Sequence, residues 1–240
     1  MAADPLPSPS GTSVQGSYGF RSENRRTANA RARASLKAEL ATKRCLDFTV
    51  ALTVLIALAP LLLFLCLLVR CSDGGPALFR QTRVGYGGRR FGCFKFRSMI
   101  VNADEALAQH LRADPEAARE WAETQKLVND PRVTRLGRFL RKTSLDELPQ
   151  VLNVLAGQMS LVGPRPILPV ECARYADKIN YYLAVRPGIT GLWQVSGRSD
   201  CSYEERVALD VAYAAQWGLG RDLVILVRTV PAVLAQKGSC

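Results

Sequence analysis

From Phe48 to Val69 the chain runs 22 residues without a charge, FTVALTVLIALAPLLLFLCLLV. At the rise of an α-helix this is about 33 Å, enough to cross a bilayer. Pro60 stands in the middle, where it removes one backbone hydrogen bond and clashes with the preceding turn. Lys43 and Arg44 precede the run, and Arg70, Arg80 and Arg83 follow it. Basic flanks on both sides favour the cytoplasmic face for both ends. A helix–break–helix hairpin turning at Pro60 satisfies both features, and a proline-kinked single span is the reading the residues leave beside it.

Upstream, residues 1–35 are rich in Pro, Ser, Gly and Arg with no apolar period, which predicts a disordered basic tail. The apolar run begins too deep and is too long for a secretory signal. Three parts are therefore expected: the tail 1–35, a re-entrant membrane segment 36–74, and a cytoplasmic domain 75–240. Within the domain, residues 75–99 read as short strands joined by glycine turns. Segments 102–113 and 115–128 read as helices, with Pro115 in a first turn. A helix is expected from Leu145 to about Leu155, closed by Gly157. Ser202 and Glu205 form a capping-box start for a helix ending near Gly218, and 221–236 is a last apolar helix interrupted by Pro231. The fold class is α+β and helix-rich.

Charge narrows the partners. Lys and Arg number 32 against 21 Asp and Glu, a net +11, with eight basic and three acidic groups in 1–44 and seven against one in 70–97. Such a surface suits nucleic acid, an anionic bilayer or a phosphorylated substrate. A nucleic-acid binder would leave the apolar run without purpose. A non-enzymatic membrane anchor or scaffold explains that run but not the Arg, Gly and Pro turns of the second half. His110 is the single histidine, which excludes HExxH zinc chemistry. The seven cysteines form no CxxC pair and read as reduced thiols.

The densest chemistry lies between Asp130 and Pro166. Arg132, Arg135, Arg138 and Arg141 recur every third residue, a spacing that suits an irregular or 3-10 segment around an anion. The run leads to Asp146-Glu147. Ser144-x-x-Glu147 fits a capping box, yet a helix start among arginines is also a phosphate site. An ionised aspartate there can serve as nucleophile or Mg²⁺ ligand. Gly163-Pro164-Arg165-Pro166 holds Arg165 extended between prolines. On a strand, Lys95 and Arg97 share one face. Arg186 stands in a second Gly/Pro turn.

In order along the chain, KRCLD (43–47), the Pro-broken apolar run, FKFRSM (94–99), NDPRVTRLGRFLRKTSLDELPQ (129–150), MSLVGPRP (159–166) and RPGITGLWQVSGR (186–198) resemble the bacterial sugar transferases. These are monotopic phosphoglycosyl transferases. Closest in resemblance are the short exopolysaccharide-initiating undecaprenyl-phosphate galactose phosphotransferases, with one hairpin and no multi-span bundle ahead of the catalytic domain.

The resemblance implies that Asp146 attacks the β-phosphorus of a UDP-sugar and holds the sugar phosphate covalently, with UMP released. Glu147 would assist as acid/base or Mg²⁺ partner, and Mg²⁺ would bridge Asp146 and the diphosphate. Arg165 and Pro166 would meet the uridine nucleotide, while Lys95, Arg97, Arg141 and Arg186 would line the phosphates. Undecaprenyl phosphate at the inner-membrane face would take the sugar phosphate, galactose or glucose. Membrane lipids are the further partner, nucleic acid is not one, and self-association is left open. One departure is Ala59-Pro60 where such enzymes often carry Ser-Pro.

Overall fold

The computed structural model describes residues 16–124, 127–197 and 201–234. The chain divides into two compact units, Met1–Lys43 and Arg44–Cys240. Among the described residues, the first holds only the beginning of α1 (Gly16–Asp73). Residues 21–43 are rich in Arg, Ala, Glu, Lys and Leu, all strong helix formers, so α1 starts inside the segment expected to be disordered. Residues 1–15 of that segment lie outside the described residues.

A second difference concerns Pro60. The expected break into two helices is not formed, because α1 runs through the proline as one element. Proline forfeits one backbone bond while the turns on either side keep theirs, so a helix can carry it with a local bend. Among the described residues, α1 supplies the one helix long and apolar enough to cross a membrane. Ile56, Leu63, Phe64 and Leu67 on it are more than half exposed.

Both ends of the apolar run are tied to the globular part of the second unit. Arg44 Nη2 donates to the Leu155 carbonyl at 3.0 Å, and the buried Asp47 carboxylate accepts from the Leu161 N–H at 3.1 Å. At the far end Asp73 pairs with Arg97. Between them, Ala51 packs into a core with Phe91, Cys93, Val154 and Met159, and Leu65 and Val69 pack into another with Phe96 and Leu140.

The predicted strands form an antiparallel hairpin. β1 (Leu78–Val84) pairs with β2 (Arg90–Phe96), Leu78 opposite Phe96 and Val84 opposite Arg90. The turn passes through Gly87 and Gly88 at φ +64° and +77°, a region costly for other residues. Helices α2 (Ala103–Ala113) and α3 (Pro115–Thr124) follow, with Pro115 opening the second as expected.

Thr134 caps α4 (Arg135–Lys142), its hydroxyl accepting from the Gly137 N–H at 2.8 Å. A Cβ on Gly137 would strike the Ser98 carbonyl, so this glycine lets α4 lie against the chain leaving β2. A 3-10 turn over Leu145–Gln150 passes into α5 (Val151–Leu155), and Gly157 closes the segment at φ +77°.

β3 (Ser160–Val162) pairs in parallel with β4 (Gly188–Thr190). A 3-10 segment, Pro169–Lys178, and α6 (Ile179–Leu183) connect them. After α7 (Leu192–Ser196), α8 (Tyr203–Ala215) begins on the predicted Ser202/Glu205 capping box. α9 (Leu219–Leu234) is continuous through Pro231, where an interruption was expected. The outcome is a helix-rich chain with two small sheets, consistent with the α+β expectation.

Candidate active site

The chain leaving β2, the end of α4, the 145–150 turn and the β4–α7 corner line a cavity of about 1030 Å³, with Val54 of α1 on its wall. Lys95, Arg97, Arg141, Asp146, Glu147 and Arg165 all line it. Those six were expected from sequence, and one cavity gathers them.

The local fold explains why the two carboxylates differ. Ser144 is left-handed at φ 57° and its side chain makes no cap bond, so the Ser144–Glu147 capping box is not formed. The chain turns instead as a tight 3-10 segment, which frees Glu147 to reach Lys95 at 2.6 Å. Asp146, 8% exposed, accepts from its own backbone N–H but from no other side chain among the described residues; its nearest cation is Lys95 Nζ at 4.0 Å. Burial pushes the Asp146 carboxyl up to about 6, with Lys95 offsetting part of the rise. Burial also works to raise Glu147, but Lys95 and Arg165 outweigh it and hold that carboxyl below its ordinary value. At neutral pH both are ionised, and Asp146 is the more basic and the less encumbered.

The cations fall into two groups. Lys95 is paired with Glu147, Arg97 with Asp73 at the end of α1, and Arg132 with Asp130 at 2.7 Å while lying over the Trp121 ring. Among the described residues Arg141 donates only from Nε, to the Ser98 hydroxyl at 2.9 Å. Arg165 makes no hydrogen bond or ion pair among the described residues and lies 5.5 Å over the Trp193 ring. Arg141 and Arg165 are therefore the guanidiniums in this cavity without a carboxylate partner, and their charge is available to an anion.

Three expectations need correction or placement. The 132–141 run is not an irregular wrap, since Arg135–Lys142 is α-helical; Arg135 and Arg138 are exposed, and only Arg132 and Arg141 reach the cavity. A repeat of three drifts around a helix of 3.6 residues per turn, which is why the set splits. Arg186 is not among the lining residues: its Nε donates to the Gly157 carbonyl at 3.0 Å, and it lies over Tyr86. Pro166 lines a smaller adjoining chamber of about 50 Å³ and accepts at its carbonyl from Arg83 Nη1 at 3.0 Å.

Sequence reasoning missed Ser98, Arg83 and Trp193 as components. Ser98 directly follows the FKFR alternation, and Trp193 sits inside RPGITGLWQVSGR, so the signals were present but uninterpreted.

Among the described residues no three His, Cys, Asp or Glu groups gather as a metal cluster. Asp146 and Glu147 are the adjacent carboxylates that a divalent cation here could take, with its remaining oxygens from a phosphorylated ligand and water. That donor set suits Mg²⁺.

Residues 38–236 match the bacterial sugar transferase family. The chain is 52% identical over 197 residues to a UDP-galactose-lipid carrier transferase of Erwinia amylovora and 51% identical over 197 residues to an undecaprenyl-phosphate galactose phosphotransferase of Salmonella typhimurium. Each alignment covers 82% of this chain and 41% of the relative, so the chain spans well under half of their length. Against the exopolysaccharide production protein ExoY of Sinorhizobium fredii, identity is 49% over 198 residues, covering 82% of this chain and 88% of that one. The matched span holds α1 from residue 38 onward and every residue lining the cavity, so the chain belongs to the bacterial sugar transferase family.

Proposed function

We propose that the chain transfers a sugar 1-phosphate, of galactose or glucose, from a UDP-sugar to undecaprenyl phosphate, with Asp146 as the covalent carrier. The carrying observation is Asp146 itself. It is a buried carboxylate with no hydrogen bond from another side chain among the described residues, in a cavity with two guanidiniums that lack carboxylate partners. Leaving an ionised group so poorly solvated costs stability, and a nucleophile is a reason to accept that cost.

In the first step an Asp146 oxygen bonds to the β-phosphorus, the bond from that phosphorus to the oxygen bridging the α-phosphate breaks, and UMP leaves with its electron pair. In the second, an oxygen of the lipid phosphate bonds to the same phosphorus and the Asp146 acyl-phosphate bond breaks, regenerating the carboxylate. Arg141 and Arg165 hold the phosphates and stabilise charge moving onto the leaving oxygen. Glu147, held ionised by Lys95, fits a base or cation partner better than an acid. Mg²⁺ bound at Asp146 and the diphosphate would supply charge neutralisation.

The same reading places α1 in the cytoplasmic membrane as a re-entrant element with the domain on the cytoplasmic side. Supporting it, Arg44 and Asp47 at one end and Asp73 at the other are bonded to one compact unit. A crossing helix would separate those ends by roughly 30 Å of hydrocarbon. Cys45 and Cys71 flank the apolar run and are exposed, so single-cysteine variants report topology. Both should resist an impermeant maleimide in intact cells; external labelling of either would mean a crossing.

The functional test is UMP release from a panel of UDP-sugars with undecaprenyl phosphate in detergent. UDP-galactose or UDP-glucose should support it. No release from any UDP-sugar by well-folded protein would favour a non-enzymatic scaffold.

A further inference from the structure

Outside the carboxylate pair, α7, α8 and the Pro169–Lys178 segment build a series of stacked cations and rings. Arg165 lies 5.5 Å from the Trp193 centroid, and Arg206 lies 5.2 Å from the same ring and 5.1 Å from Tyr203. Arg174 lies 4.6 Å over Tyr203. Arg206 is 8% exposed and is flanked by Glu171 at 3.6 Å and Asp210 at 3.9 Å. Tyr175 donates its hydroxyl to Asp210 at 2.6 Å. The inner cation of the series is thus neutralised in place, while Arg165 at the cavity end is not.

Two details separate this from ordinary packing. The Trp193 Nε1–H is buried without a hydrogen-bond partner among the described residues, so the indole is located by what stacks on it rather than by its polar edge. Among the described residues Arg165 makes no hydrogen bond or ion pair, and Trp193 is the ring it stacks on. A guanidinium lying over an aromatic face keeps its five N–H groups directed outward around its edge, free for a planar or anionic ligand. A free arginine side chain loses rotamer entropy when a ligand fixes it, and prior stacking lowers that loss. The backbone is built for the approach as well. Gly191, just before α7, lies where a Cβ would strike the Gly163 carbonyl, which brings Trp193 against the Gly163–Pro166 turn.

We propose that Trp193 is a positioning residue for nucleotide binding, holding the Arg165 guanidinium over the cavity while Arg206, fixed by Glu171 and Asp210, holds the indole. The inference rests on Arg165 contacting the UDP-sugar, as proposed above. Arg206 would then set UDP-sugar affinity without touching the ligand. The exposed Arg174–Tyr203 end would matter little.

The test is a double-mutant cycle on the full chain in detergent, read by calorimetric binding of UMP alone and by KM and kcat for UDP-sugar. Trp193→Leu should weaken UMP and raise KM by about 3- to 30-fold, the range expected of one desolvated cation–π contact, with kcat changed much less. Trp193→Phe keeps a face and should recover part of the loss. Adding Trp193→Leu to Arg165→Ala should change UMP affinity by less than about twofold, because residues that act through one another are non-additive. Full additivity, or an unchanged UMP affinity in Trp193→Leu, would overturn the proposal while leaving Arg165 in its role. Unchanged UMP affinity and KM in Arg165→Ala would remove the underlying reading and the proposal together. If Trp193→Leu does not fold, the Phe variant and Arg206→Lys carry the same cycle.

Discussion

Asp146 and Asp210 sit in different parts of the molecule and look alike by burial and by charge. Each is at most 8% exposed, and burial pushes each carboxyl up to about 6. Their wiring is opposite. Asp210 accepts from the Tyr175 hydroxyl at 2.6 Å and has Arg206 within 3.9 Å, deep among α6, α8 and the Pro169–Lys178 segment. Asp146 faces the large cavity, accepts no side-chain hydrogen bond, and stands 4.0 Å from an ammonium already engaged by Glu147. A raised carboxyl alone therefore does not identify a reactive group. What separates the two is where the oxygens face: Asp210 is buried against the Tyr175 hydroxyl and Arg206, and Asp146 opens onto the cavity where a phosphorus could approach.

The largest expected effect breaks the comparison at its centre. Asp146→Ala should reduce turnover by at least about a thousandfold, as loss of a covalent nucleophile does, with little loss of folding because no partner side chain is left unpaired. Asp210→Ala should do the reverse. It leaves the Tyr175 hydroxyl without its acceptor and Arg206 with Glu171 alone, so unfolding free energy should fall by about 2–4 kcal/mol in denaturant titration, with a far smaller loss of turnover per folded molecule.

A stability measurement across pH sharpens the same contrast. The Asp146 carboxyl is raised on folding, from about 3.8 to about 6, so its ionisation opposes folding. That penalty is absent below the unfolded value and complete above the folded one. Asp146→Asn should therefore be more stable than the wild type by about 2–3 kcal/mol at pH 7.5, with the difference vanishing near pH 4. In the active enzyme the same titration should lower kcat/KM about tenfold per unit below pH 6, as the nucleophile takes up its proton.

The smallest effect belongs to Arg186, which sequence placed among the phosphate ligands and the structure places on the Gly157 carbonyl and Tyr86. Arg186→Lys should leave the KM for UDP-sugar within about twofold, because it removes no group from the cavity. A large KM increase would mean that Arg186 reaches the ligand after all.

Sequence carried much of this arrangement and failed at identifiable places. The hairpin, Pro115, Gly157 and the Ser202 cap were legible because each is a local rule. Ser144 fits a cap in composition, yet its left-handed conformation and the pairing of Glu147 with Lys95, 52 positions away, override the local preference. Arg186 was read as a ligand because a charge in a motif shows no partner; its partner, the Gly157 carbonyl, comes only with tertiary contact, as does the pairing of the cavity residue Arg97 with Asp73. The helix through Pro60 likewise depends on packing along both halves of α1, which a hydropathy pattern does not report.

The central claim is that Asp146 carries the phosphosugar, and intact-protein mass spectrometry after mixing with UDP-sugar and Mg²⁺, without lipid acceptor, tests it most directly. The account predicts stoichiometric UMP and a protein heavier by one hexose phosphate less water, mapped to Asp146, absent in Asp146→Asn and discharged by undecaprenyl phosphate. Full turnover with lipid present, but no adduct and no UMP before lipid is added, would contradict it and make the transfer a direct one.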